Sequence, residues 1–278
     1  MLKDRKVIIA TKHGKEKVIA PILEKEFGLI CTVDLNLDTD ELGTFTGEVA
    51  RKDDPITTAR NKCKMAMELS NCDMAIASEG SFGPHPDLFF VPADDEFLLF
   101  MDMKNDLEIV ARELTTETNF RGAEIHSERE LKDFANIAKF PSHALILRRH
   151  IGDFRDIKKG ISDWSTLQEG YRFFMNTGGK VYAETDMRAM HNPTRMLAIE
   201  RAAQKLAVQI KSLCPQCHTP GFCIKESKKG LPCEVCDFPT RSILCSIYTC
   251  KKCNFSEEKK YPNGKMTENP MHCDLCNP

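Results

Sequence analysis

The sequence predicts a mixed-sheet α/β domain followed by a small cysteine-rich domain, with the division at residues 1–212 and 213–278. Two observations carry this. Apolar runs of strand length alternate with segments of helical spacing through the first 212 residues. Ten of the thirteen cysteines then fall between Cys214 and Cys276, leaving only Cys31, Cys63 and Cys72 before them.

Lys6 to Thr11 is rich in β-branched residues and reads as a strand. Val18, Ile19, Ile22, Leu23 and Phe27 then keep helical spacing up to a stop at Gly28. Ile30 to Leu37 alternates as a second strand, and residues 38–54, with Gly43, Gly47 and six acidic residues, read as a loop. Asp54-Pro55 opens a helix through Ile56, Ala59, Cys63, Ala66 and Met67 to Ser70. Met74 to Ala77 is a short buried strand. Ser78 to Pro86, with Gly80, Gly83 and two prolines, reads as a loop where a ligand can approach bare backbone.

Phe97 to Met101 and Leu107 to Thr116 read as antiparallel strands. Ser127-Glu128-Arg129-Glu130 has capping-box spacing and starts a helix to Ala138. His143 to Arg149 is a strand. Asp163 to Asn176 is an amphipathic helix with Trp164, Leu167, Tyr171 and Phe174 on one face and Gly178-Gly179 as its stop. Val181 to Ala183 is a short strand, and Asn192-Pro193 opens a helix that stays apolar-periodic to Leu213.

A formal charge of −2 argues against a chain that works mainly through a bulk basic surface on nucleic acid or anionic lipid. The first residues lack the apolar core of a signal peptide, and no apolar stretch reaches the ~20 residues of a membrane span. The chain reads as soluble and cytoplasmic. In that setting a dense cysteine segment points to metal rather than disulfides.

Within the segment stand four C-x2-C knuckles: Cys214/Cys217, Cys233/Cys236, Cys250/Cys253 and Cys273/Cys276. Two thiolates three positions apart in a tight turn face one ion, and two such turns complete a tetrahedral shell that suits Zn2+. The expectation is a double zinc ribbon with two structural Zn2+. Pairing can be sequential, crossed or nested; the 15- and 19-residue spacers favour sequential. Cys223 and Cys245 are spare and read as small core residues. From Cys214 onward nine Lys/Arg stand against seven Asp/Glu, and eight thiolates holding two dications bring the formal charge to about −2. That favours a structural or protein-docking role over nucleic acid. Phe222, Phe238, Tyr248, Phe255 and Tyr261 suit either base stacking or a small core.

Three signals in the body point to chemistry. Thr11-Lys12-His13-Gly14-Lys15, between a strand and a helix, is a phosphate cradle in principle, against the plainer reading of a solvated lysine loop. Glu79, at a strand end, can ligate Mg2+ while water and substrate phosphate fill the shell, or be a simple turn acid. The segment Val181 to Arg195 gathers Glu184, Asp186, Arg188, His191 and Arg195 about a helix start. It suits phosphate binding by the two arginines and equally a salt-bridged helix entrance in which Asp186 pairs an arginine.

Ala10-Thr11 with its Lys/Gly loop, Thr57-Thr58-Ala59-Arg60-Asn61-Lys62 on a helix, and Ala75-Ile76-Ala77-Ser78-Glu79-Gly80-Ser81 on a strand end resemble successive motifs of the ITPase-like superfamily, over roughly the first 105 residues. That superfamily includes non-canonical purine NTP pyrophosphatases and Maf-type enzymes. The resemblance implies Mg2+-dependent cleavage of nucleoside triphosphates, with Thr11, Lys12, His13 and Lys15 at the triphosphate, Asn61 near the site and Glu79 on the metal. The usual Asn of the first loop is replaced by Lys12-His13, and the late Ser-His-Arg survives only as Ser142-His143-Ala144. The second half, with Glu-Thr-Asp-Met-Arg-Ala, Asn-Pro-Thr-Arg-Met and the Cys-Pro-x-Cys tail, resembles an uncharacterised bacterial domain-of-unknown-function family.

The leading expectation is a Mg2+-dependent hydrolase of a nucleotide or related phosphoester. Glu79, with Glu184 or Asp186, holds the metal, Lys12, Lys15, Arg188 and Arg195 neutralise phosphate charge, and His13 or His191 donates a proton. The alternative is a non-catalytic zinc-ribbon protein that recognises a nucleotide, RNA or a protein partner.

Overall fold

The computed structural model describes residues 2–34, 37 and 53–278, so most of the acidic stretch predicted as a loop lies outside the described residues. Two compact units, Met1–Ala207 and Val208–Pro278, divide within the last long helix.

The first unit runs β1 (Lys6–Ala10), α1 (Glu16–Phe27), β2 (Ile30–Thr32), α2 (Pro55–Ser70), β3 (Met74–Pro84), β4 (Pro92–Asp102), β5 (Leu107–Thr115), β6 (Gly122–Ile125), α3 (Glu128–Ile137), β7 (Leu145–Arg148), β8 (Lys158–Ile161), α4 (Trp164–Gly178), β9 (Val181–Thr185) and α5 (Pro193–Lys211). Helix ends follow the expected chemistry. Gly28 and Gly179 close α1 and α4 in the left-handed conformation, Asp54 caps α2 through Ile56 N and Thr57 N, and Ser127 caps α3 through Glu130 N. Asn192 Oδ1 accepts from Arg195 N at 3.0 Å at the start of α5.

A mixed sheet of order β2-β1-β3-β4-β5 has β1 parallel to β2 and β3 and the rest antiparallel. α2 packs on one face through Ala59, Cys63, Ala66 and Met67, against Ile8, Ala10, Ala75, Ala77, Leu99 and Met101. A second sheet of order β6-β9-β7-β8 is antiparallel throughout. α3 and α4 cover one of its faces through Leu131, Phe134, Leu167, Tyr171 and Phe174.

Three expectations change. The stretch Ser78 to Pro84 is not a loop but the second half of β3, in continuous register with Pro92 to Leu98. Gly80 is a glycine because a Cβ there would lie 2.6 Å from Glu96 Cδ and 2.7 Å from an Arg195 nitrogen, so it marks a tight approach rather than a turn. β2 is only three residues long, and β6 and β8, four residues each with little alternation, are strands that periodicity misses.

The second unit holds an antiparallel sheet of order β10-β11-β12, from β10 (Cys223–Lys229), β11 (Ile243–Thr249) and β12 (Ser256–Lys260). Phe222 is buried against Cys214 and Cys250, with Tyr248 and Phe255 packed on it at ring separations of 5.6 and 5.9 Å. These three aromatic rings form the small core, whereas Phe238 is exposed. Among the described residues no helix is long and apolar enough to cross a membrane.

Candidate functional site

β1 ends at Ala10, opposite Ala77, while β3 runs on to Pro84, so the second half of β3 passes the open carboxyl end of β1. Strand alternation then sorts the polar residues of this step. Ser78, Gly80 and Phe82 lie opposite Leu98, Glu96 and Asp94 and share one face. Glu79 points to the other face, where it pairs with Lys62 of α2. Lys15, at the entrance to α1, reaches across the end of β1: its Nζ donates to Ser78 Oγ at 2.7 Å and to Ser78 O at 3.3 Å. Arg195 comes in from the first turn of α5. Its Nε donates to Glu96 Oε1 at 2.6 Å, its Nη1 donates to Met187 O at 2.5 Å, and its guanidinium lies 5.1 Å from the Phe82 ring centre.

These groups are buried: Lys15, Lys62, Ser78, Glu79, Asp94, Glu96 and Arg195 are all below a tenth exposed. Most of their polar atoms meet partners, but neither oxygen of Asp94 nor Oε2 of Glu96 accepts a hydrogen bond from a donor among the described residues. A carboxylate withdrawn from water in that way must be neutralised by protonation or by a cation. Burial and the adjacent Glu96 push the Asp94 carboxyl up to about 8. Burial, assisted by Arg195, brings the Lys15 ammonium down to about 7, opposed by the charges of Glu96 and Glu79. Burial and then Lys15, Arg195, Arg188 and Lys62 push His13 down to about 3. At neutral pH His13 is therefore a neutral, weakly basic imidazole rather than the charged proton donor expected from the sequence; His191 is also lowered by burial.

The structure therefore brings the first loop, the β3 step and the start of α5 together around Lys15 and Arg195. Thr11 is buried and its Oγ1 accepts from His13 N at 3.1 Å, while Lys12 is exposed. Asn61 donates to Asp53 Oδ2 at 3.3 Å. Glu79, expected to hold Mg2+ with Glu184 or Asp186, pairs with Lys62, and the three carboxylates form no common metal-donor group among the described residues. Asp186 accepts from Arg188 N, Nε and Nη2 and from Gly160 N, and Glu184 pairs with Arg148. His191 belongs with Asp186 and Arg188 around Gly160, whose Cβ position lies 3.2 Å from His191 Nε2 and 3.3 Å from Arg188 Nη2. Sequence reasoning missed Lys62, Ser78, Asp94 and Glu96. The signal for the last two was Asp94-Asp95-Glu96 running straight into Phe97 to Met101: two acids at strand spacing before a buried strand.

Among the described residues the only groups of three or more metal-donor side chains are Cys214/Cys217/Cys250/Cys253 and Cys233/Cys236/Cys273/Cys276, each with all four sulfurs within 4.8 Å of one another. Either group can hold a metal ion. Closest separations across each group are 3.6 Å (Cys214 to Cys253, Cys217 to Cys250) and 3.3 Å (Cys236 to Cys276), far too long for disulfides and near the ~3.8 Å edge of a tetrahedron with ~2.3 Å metal–sulfur bonds. His218, Asp237 and Asn254, each directly after the second cysteine of a knuckle, take positive φ of 57°, 57° and 60°, which closes the turn.

The pairing is crossed, not sequential, and the sheet topology is the reason. Cys223 lies opposite Thr249, so the knuckle before β10 and the knuckle after β11 meet at one end of the sheet. Lys229 lies opposite Ile243, and Cys245 opposite Lys260, so the second and fourth knuckles meet at the other end. Spacer length alone missed this because each spacer holds one strand of a three-stranded sheet rather than a closed hairpin. Cys223 and Cys245 lie outside both groups; Cys245 is buried, its Sγ 3.4 Å from Glu258 Oε1.

Residues 62–278 match the family described as Domain of unknown function (DUF6671), and the chain belongs to that family. The match takes in Glu79, Asp94, Glu96, Arg195 and all eight knuckle cysteines, and begins after the Lys12–Lys15 loop. No curated protein matches the chain.

Proposed function

We propose that this member of the DUF6671 family is a Mg2+-dependent hydrolase of a nucleotide or a related phosphoester, carried on the α/β body, and that its tail is a double zinc ribbon. The observation that carries the first half is the Asp94/Glu96 pair, with three buried carboxylate oxygens that meet no donor among the described residues, set beside Lys15 and Arg195. Mg2+ characteristically takes one or two carboxylates and completes its shell with water and substrate phosphate. Held by Asp94 and Glu96, with Glu79 on the opposite side of the step, the ion would polarise a phosphoryl oxygen and an attacking water. Arg195 fixes the Glu96 carboxylate, Glu79 holds Lys62 at the step, and Lys15 and Lys62 supply positive charge for the phosphate. Lys15, poised near neutrality, holds a proton for the leaving group, while His13, held neutral and weakly basic, offers hydrogen bonds rather than proton transfer. The resemblance of roughly the first 105 residues to the ITPase-like superfamily, read from the sequence motifs, points the same way.

For the tail, a four-thiolate shell of this size is the donor set Zn2+ prefers. Lys228, Lys259 and Arg241 pair with Glu258, Glu257 and Asp274, which supports a structural or protein-docking role over a nucleic-acid grip. The test of the enzyme is a screen of phosphorylated metabolites with Mg2+ or Mn2+, read by phosphate and pyrophosphate release. Turnover that disappears in Asp94→Asn, and in Glu79→Gln with the body still folded, is expected. A panel with no turnover would favour the non-catalytic binding protein instead.

A further inference from the structure

Helices α3 and α4 cover one face of the second sheet. Leu145, Leu147, Val181 and Ala183 face the α3/α4 core, so by alternation Ile146, Arg148, Tyr182 and Glu184 face the other way. They floor a cavity of about 310 Å3, at the small end of ligand pockets. Three phenylalanines complete its wall. Phe82 and Phe120 stack at 5.6 Å and 29°, and the Arg148 guanidinium lies 5.4 Å from the Phe154 ring centre. Phe120 and Phe154 remain 37% and 40% exposed, an unusual outlay of aromatic surface around one hollow.

Arg121, Arg148, Thr185, Glu184 and Asp186 supply the polar lining of the cavity, and Asp186 is already engaged by Arg188 and Gly160 N. Arg148 is buried and spends its charge on Glu184, whose side chain keeps 21% of its surface exposed while that of Arg148 keeps 4%. Burial raises the Glu184 carboxyl and Arg148 opposes that rise; the ion pair with Arg148 makes Glu184 the acceptor side of the contact. A tyrosine and three phenylalanines offer flat apolar faces, which suit a flat ring. The cavity also adjoins the charged step: Phe82 lines it beneath Arg195, and Met187, another lining residue, gives its carbonyl to Arg195.

We infer that this cavity seats a heteroaromatic ring bearing a ring N–H, the lactam type of nucleobase, with Glu184 accepting from that N–H and the aromatic side chains covering the ring. Adenine and cytosine offer a ring-nitrogen lone pair at the corresponding edge and meet the carboxylate with repulsion. Guanine, hypoxanthine and uracil offer a donor. A site built around an acceptor rejects ligands that lack the donor far more strongly than a methyl-sized pocket rejects a misfit. The inference deepens the phosphoester reading, since it names what the phosphate is attached to, but its test needs no phosphate.

Nucleosides without phosphate are titrated into the full-length chain by calorimetry and saturation-transfer NMR: guanosine, inosine, uridine, adenosine and cytidine, with Mg2+-pyrophosphate titrated separately. Expected is at least about tenfold tighter binding of the first three than of the last two. Glu184→Gln, which offers both donor and acceptor, brings that ratio towards one, and Phe120→Ala weakens all five. Binding without discrimination, discrimination that survives Glu184→Gln, or no nucleoside binding overturns the inference. Pyrophosphate binding without nucleoside binding rejects the base seat and leaves the phosphoester reading standing; the reverse pattern does the opposite. Should Glu184→Gln unfold for want of a partner to Arg148, the wild-type ratio and Phe120→Ala still decide.

Discussion

Replacing Gly80 by alanine is a one-carbon test of the buried charges. The new Cβ would sit 2.6 Å from Glu96 Cδ and 2.7 Å from Arg195 Nη2, inside van der Waals distance of both partners of an ion pair whose side chains are 0% exposed. Neither partner moves cheaply, because Arg195 is also tied to Met187 O and rests on Phe82. Overpacking alone costs about 1–3 kcal/mol. Fully separating a buried pair costs about 3–5 kcal/mol, so about 3 kcal/mol is the expected loss. For a unit of this size that lowers Tm by roughly 6–12 °C. Trp164, the only tryptophan, lies in α4 with its ring 4.8 Å from that of Phe140, so its emission follows unfolding of the α/β body. Gly83, three residues along the same strand, is the control: a Cβ there meets nothing within 4 Å, and Gly83→Ala should be neutral or slightly stabilising. Equal melting of the two variants, or a Gly80→Ala shift below about 1 °C, would refute the placement of Glu96 and Arg195.

Arg195→Ala leaves Glu96 buried without its partner and should lose about 3–5 kcal/mol in urea unfolding followed at Trp164, whereas Arg188→Ala, whose partner Asp186 keeps Gly160 N, should lose about 1–3. The reverse ranking would count against Arg195 as the keystone. Cys250→Ser combined with Cys253→Ser should leave one metal ion per chain and expose Cys214 and Cys217 to alkylation; labelling of Cys273 and Cys276 instead would restore sequential pairing. His13 has a folded pKa of about 3, below its ordinary 6.5, so its contribution is complete above pH 6.5 and is lost as pH falls towards 3. Between those limits wild type should lose about 1.4 kcal/mol per pH unit more than His13→Gln, and parallel pH profiles of the two would show that His13 is not held neutral.

The sequence spoke most clearly where local chemistry decides. Asp54-Pro55, Ser127 with Glu130, and Gly179 mark helix ends because caps satisfy backbone groups within a few residues. The four knuckles were legible for the same reason, since each is a turn of four residues. Their pairing was not, because it depends on which ends of β10, β11 and β12 adjoin. In the body, Glu79, Lys15 and Arg195 stood out as charges beside apolar strands and helices, yet their partners Lys62, Ser78 and Glu96 are 17, 63 and 99 residues away along the chain. Gly80 misled in an instructive way. Glycine signals either backbone freedom or the need for space, and only the position of Arg195 tells which.

The central claim is a divalent cation held by Asp94 and Glu96, and Mn2+ binding tests it most directly. With both four-cysteine groups loaded with Zn2+ and pyrophosphate present to complete the shell, Mn2+ is titrated into the full chain and followed by electron paramagnetic resonance. One Mn2+ per chain in the wild type, lost in Asp94→Asn, is the predicted result. No bound Mn2+, or the same stoichiometry in Asp94→Asn, would contradict it.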